Sequence, residues 1–165
     1  MRVVKCLAAA TIALMLTTAV AEAAVRVAFV HPERYRDRDF RSEAKRERIT
    51  AELTRYLHKL DKRYLKPGQR LDIEVLDVRL AGQYEPWNTG LYDVRILRDS
   101  TPPRFKLRYT LRAGDRVLAR GEETLTNATY LWSPAARRSE RLAHEKELLA
   151  DWFRKRFGKL SASAG

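Results

Sequence analysis

Apolar residues recur at two different periods along this chain, and the change of period restricts what it can fold into. Ile49, Leu53, Leu57, Leu60 and Tyr64 follow one another at steps of about three or four residues, the spacing of one helix face. Ser42 stands where an N-cap belongs, and Pro67-Gly68 closes the segment, because proline removes a donor and glycine permits a sharp turn. The predicted helix therefore runs from Ser42 to about Tyr64. From Leu71 the period falls to two, with Leu71, Ile73 and Val75 on one face. Val78 and Leu80 then continue out of step, which predicts a β-bulge near Leu76-Asp77.

A hairpin follows the same logic. Phe105, Leu107, Tyr109 and Leu111 alternate toward a core, Ala113-Gly114-Asp115 turns the chain, and Val117 and Ala119 are expected to continue inward. Arg104, Lys106, Arg108 and Arg112 then share the opposite face with Arg116, Leu118, Arg120 and Glu122. Val25 to Val30 reads as a first strand ended by Pro32. Leu142, Leu149, Trp152, Phe153 and Phe157 mark a last helix, capped by Ser139 and ended at Gly158. Gly82 to Pro103 is a long connection with room for one short strand around Val94 to Leu97. The order strand, helix, strands, helix predicts an α+β fold, an antiparallel sheet of about four or five strands with two helices on one face. The other face, with the arginines, would be open.

The first 23 residues read as an export signal. Arg2 and Lys5 precede an uncharged run from Cys6 to Val20, and Ala21-Glu22-Ala23 has the small-x-small form of a cleavage site. That run of 15 residues is shorter than the roughly 20 a spanning helix needs, so cleavage is expected over a retained anchor. A single domain at 24–158 and a disordered tail at 159–165 are expected to remain, in the periplasm or secreted. The only cysteine, Cys6, leaves with the signal, so neither a disulfide nor a thiolate contributes.

The whole chain carries a formal charge of +12, and the part after Ala23 still holds 31 basic against 20 acidic side chains. For an exported protein the matching partners are anionic lipid headgroups, lipopolysaccharide, peptidoglycan carboxylates or an acidic protein. Arg104, Lys106, Arg108, Arg112 and Arg120 are the candidate contacts. Nucleic acid fits an exported protein poorly, although Arg34 to Arg41 interleaves arginines with Tyr35 and Phe40 as a single-strand binder would. Asp37 and Asp39 dilute that charge.

Catalytic signatures are sparse. His31, His58 and His144 lack the pairing that puts two imidazoles on one metal, and His144-Glu145 is followed by Leu148 where a zinc-protease helix has its second histidine. Neither a glycine-rich phosphate loop nor a nucleophile elbow is present, and no cofactor is expected. The enzymatic alternative is an envelope glycan hydrolase using two carboxylates, Glu145 with Asp151 or Glu33 with Glu85. Glu122 and Glu123 are adjacent on a strand, point to opposite faces and share no site. Trp152 belongs to the core, while Trp87 and Trp132 sit in polar loops, where packing down as anchors is the ordinary expectation and facing a sugar or a partner the alternative.

Several stretches together resemble one bacterial family of exported proteins. They are Val27 to Glu33, Pro67-Gly68-Gln69-Arg70-Leu71, Ile73 through Gly82, Arg98-Asp99 leading to Pro103-Arg104, and Leu107-Arg108-Tyr109. Gly121-Glu122-Glu123, Tyr130-Leu131, Glu145-Lys146 and Asp151-Trp152-Phe153 complete the set, which resembles the DUF3016 family. The family favours acidic residues where this chain has Arg79 and Asn127, so the resemblance carries no acidic site to those positions. It implies export and no assigned activity.

Overall fold

A computed structural model describes residues 24–87, 90 and 93–162, with side chains as far as 158. The export signal expected at residues 1–23 lies outside the described residues. Four strands form the main sheet in the order β1-β2-β5-β6: β1 (Ala24–Phe29), β2 (Gln69–Arg79), β5 (Arg104–Ala113) and β6 (Arg116–Thr126). Between β2 and β5 the chain makes a small separate hairpin, β3 (Gln83–Tyr84) with β4 (Arg95–Ile96). The helices are α1 (Glu43–Tyr64) and α2 (Ala143–Ala162). The architecture is α+β as expected. Among its pairings β2–β5 and β5–β6 are antiparallel, while β1 runs parallel to β2 because α1 carries the chain back between them.

Both helices lie on one face of the sheet. Ile49, Leu53, Leu57 and Leu60 of α1 and Leu149, Trp152, Phe153 and Phe157 of α2 share a single core with Leu71, Ile73, Val75, Phe105, Leu107, Tyr109 and Leu111. Aromatic edges hold the α2 side together. The Trp152 and Phe157 rings each meet Tyr109 edge-on, at 5.6 and 5.8 Å between centroids. Tyr109 in turn covers Gly121 opposite it on β6, where an added Cβ would stand 3.2 Å from the ring.

The bulge in β2 falls between Val75 and Asp77, and it returns Val78 to the core after the slip. A second bulge, in β6, was not legible. Leu111 pairs with Ala119 but Arg112 with Val117, so Leu118 is the extra residue and packs against the core. Val117 is turned to the open face, where it is 42 % exposed. The last helix also differs at both ends from the expectation. Pro134–Arg137 forms a separate 3-10 turn, Leu142 takes a left-handed φ of 57°, and α2 starts at Ala143 rather than after Ser139. At the other end it passes through Gly158 to Ala162, since one glycine costs a helix only about 1 kcal/mol.

The segment from His31 to Ser42 lies along the edge of β2 that β1 leaves uncovered. Val30 N–H and the Tyr35 hydroxyl both donate to the Val75 carbonyl, at 2.9 and 2.5 Å, and Tyr35 and Phe40 are buried. Their alternation with charged residues, which resembled a single-strand binder, is instead a loop stitched to a sheet edge.

Leu53 and Leu107 are fully buried, so Leu53→Ala or Leu107→Ala should each cost about 2–5 kcal/mol in urea unfolding. Val117→Ala should stay within about 0.5 kcal/mol. A loss at Val117 as large as at the two leucines would contradict the bulge.

Candidate functional site

The sheet face away from the helices has no layer over it among the described residues. Arg104, Lys106, Arg108, Arg112 and Arg120, the five candidate contacts, all project from this face, as the pairings Arg104–Thr126, Lys106–Thr124, Arg108–Glu122, Arg112–Val117 and Thr110–Arg120 require. Arg26, Arg70 and Arg79 join them from β1 and β2, against Asp72, Glu74, Asp77 and Glu122. The five are not equivalent. Arg108 bridges Glu74 and Glu122 at 2.9 and 3.1 Å, and Lys106 meets Glu122 at 3.0 Å. Arg104, Arg112 and Arg120 have no carboxylate partner among the described residues.

At its Arg104 end this face opens into a cleft of about 740 Å³. Arg36, Arg38, Arg79, Arg95 and Arg104 line it together with the hydroxyls of Ser100, Thr101, Thr124 and Thr126, and its carboxylate is Asp37. Arg95 holds Asp37. Arg36, Arg79 and Arg104 form no ion pair among the described residues, and Arg38 instead lies 4.8 Å from the Tyr84 ring centroid. Sequence reasoning singled out Arg104 alone of this group. The signal for the rest was present: Arg36 and Arg38 in an arginine-rich segment suited to phosphate, and Arg79 at the outward position between Val78 and Leu80.

The back wall of the cleft is a buried ionic knot. Arg95 Nη2 donates to Asp37 Oδ1 at 2.6 Å and Asp39 Oδ2 at 3.0 Å, and Nη1 donates to the Gly82 carbonyl at 2.7 Å. Asp37 Oδ2 accepts the Leu80 N–H at 2.9 Å, and Asp39 Oδ1 accepts from the Tyr84 hydroxyl at 2.7 Å and Lys45 at 3.2 Å. Burial pushes the Asp39 carboxyl up, but hydrogen bonds from Tyr84, Arg95 and Lys45 outweigh it and hold Asp39 below the usual range. Gly82 is required here: its φ is +75°, and a Cβ would stand 2.5 Å from the Ile96 carbonyl oxygen.

The proposed carboxylate pairs are not brought together. Glu145 is buried with Oε1 on the Ala81 N–H at 2.6 Å, whereas Asp151 sits farther along α2 and pairs with Arg154 at 2.8 Å. Glu33 stays exposed beside His31, while Glu85 accepts from both Nε and Nη2 of Arg98. Glu122 and Glu123 do face opposite ways, Glu123 accepting from Trp152 Nε1 at 3.2 Å on the helix side. Trp87 and Trp132 are 70 % and 89 % exposed, so neither anchors its loop. Tyr130 takes that buried place beside Trp132, donating to the Arg98 carbonyl at 2.7 Å. No cluster of three metal-ligating side chains occurs among the described residues, and no helix there is long and apolar enough to cross a membrane.

Burial raises the Glu145 carboxyl above its ordinary value, against the pull of the Ala81 N–H. The folded state then holds a proton that the unfolded chain releases, so stability falls as pH rises from the ordinary carboxylate value through the raised one. Glu145→Gln keeps the acceptor and removes the titration. Urea unfolding between pH 4 and pH 8 (roughly the span from an ordinary carboxylate upward) should show the wild type losing stability relative to E145Q as pH rises. Parallel curves would contradict it.

The model of the DUF3016 family, described as a protein of unknown function, matches residues 23–155. No curated protein and no solved structure matches the chain. The match spans the sheet, α1 and all but the end of α2, and the chain therefore belongs to the DUF3016 family.

Proposed function

We propose that this chain is an exported, non-enzymatic domain that binds an anionic component of the bacterial envelope through the open sheet face and the arginine-lined cleft at its end. The observation that carries this reading is the cleft: Arg36, Arg38, Arg79 and Arg104 have no carboxylate partner among the described residues and surround one space with the hydroxyls of Ser100 and Thr124, those of Thr101 and Thr126 being donated to the Arg98 and Pro103 carbonyls. Guanidinium forks match phosphate and carboxylate oxygens in pairs, and hydroxyls add donors that carry no charge. Arg112 and Arg120 extend the same unpaired charge along the sheet. Lys106 and Arg108 contribute less, because Glu74 and Glu122 already neutralise them.

A phosphate-bearing lipid surface is the source that fits a broad face better than a closed pocket does, and there each basic side chain is worth about 1 kcal/mol. Vesicles with and without anionic lipid, titrated at low and high salt, test the reading. Arg79→Ala with Arg104→Ala should weaken binding by about 30-fold, since two such contacts amount to about 2 kcal/mol. Lys106→Ala with Arg108→Ala should weaken it far less. Binding that ignores salt, or is as tight to zwitterionic vesicles, would contradict the proposal.

A further inference from the structure

Tyr84, Arg95 and Leu80 form a wall with a second cleft, of about 470 Å³, on its other side. It lies between α1, the end of β2 and the start of α2. Ile49, Leu80, Leu97 and Leu142 give it an apolar lining. Its charges do not balance. Lys45 and Arg95 are held by Asp39, and Arg141 by Glu52 at 3.0 Å, whereas Arg48 and Arg138 form no ion pair among the described residues.

The start of α2 adds polar groups that have no partner within the helix. Leu142 occupies the position before the helix and offers no side-chain acceptor, and the first helical hydrogen bond runs from Lys146 N–H to the Leu142 carbonyl. The Ala143 and His144 amides, ahead of that bond, thus have no acceptor within the helix. Nδ1 of His144 is buried with no partner either, while its ring packs edge-on against Tyr130. Helix-start amides, two guanidinium groups without a carboxylate partner and an apolar wall around one space describe the complement of an acid with an apolar body.

We propose that this cleft binds a small amphipathic carboxylate, its headgroup among Arg48, Arg138 and the first turn of α2 and its body against Ile49, Leu97 and Leu142. A monoanion fits better than a dianionic phosphate ester, because Asp39 and Glu140 stand on the same walls. The site is separate from the arginine-lined cleft, so either can fail without the other.

Decanoate, added below its micelle concentration and followed by amide NMR shifts of the whole protein, tests it. Saturable shifts should concentrate on Ala81, Ala143 and His144, and Arg48→Ala with Arg138→Ala should weaken binding at least about tenfold, as expected for removing charge-assisted contacts. 1-Decanol should bind at least about tenfold more weakly than decanoate, and decyl phosphate should not bind more tightly. Arg79→Ala with Arg104→Ala should leave decanoate affinity unchanged. Equal binding of decanol, unchanged affinity in the Arg48/Arg138 variant, or shifts confined to the open sheet face would overturn the assignment. Both substituted arginines are exposed and form no ion pair among the described residues, and Arg48 loses only an exposed bond to the Ala44 carbonyl, so the variant is expected to stay folded.

Discussion

One guanidinium joins three parts of this chain that lie apart in sequence. Arg95, from β4, reaches Asp37 and Asp39 on the segment before α1, the Gly82 carbonyl at the start of the small hairpin, and lies 5.0 Å from the Tyr84 ring centroid. Buried ion pairs are costly to break from one side, because the surviving charge keeps its desolvation penalty and loses its partner. Removal of Arg95 would leave two buried aspartates facing each other. The knot therefore fixes the His31–Ser42 segment against β2 and builds the partition between two clefts of different character. On one side arginines and hydroxyls face outward; on the other, apolar residues and the start of α2 close around a smaller space.

A second constraint is the one-sided packing of the sheet. Two amphipathic helices cover one face and leave the other to water, so the charge that accumulates there has no structural duty toward the core. Part of it is balanced across strands, with Arg108 between Glu74 and Glu122 as cross-strand pairs do in an antiparallel sheet. The remainder without an ion pair among the described residues is Arg79 and Arg104 beside the cleft, and Arg26, Arg70, Arg112 and Arg120 farther along the sheet. Gathering this charge on one face turns a net charge into a direction of approach.

Much of this fold was legible in the sequence because it rests on periodicity. The α1 stripe, the β2 bulge and the inward set of β5 each follow from side-chain spacing alone. Val117 and Leu118 were misplaced because a bulge in β6 adds one residue after the turn, and a shift of one exchanges the faces. The knot was invisible for a different reason. Asp37, Asp39 and Arg95 are each ordinary in their local surroundings, and only the long-range return of β4 to the β2 edge makes them partners. Trp132 was read as an anchor on composition, yet Tyr130 two residues earlier already filled the site and left the larger ring outside. Arg112 and Arg120 reached the open face as expected, while the start of α2 depended on a left-handed Leu142 that no spacing signals.

The central claim is that anionic surfaces meet this protein on the sheet face and not on the helices. Paramagnetic broadening from anionic nanodiscs carrying a headgroup spin label would locate the contact directly, read at the arginine side-chain resonances. The account predicts broadening at Arg79, Arg104, Arg112 and Arg120 that disappears at high salt, with Arg55 and Arg63 on α1 unaffected. Broadening centred on the α1 arginines, or none on the sheet face, would contradict it.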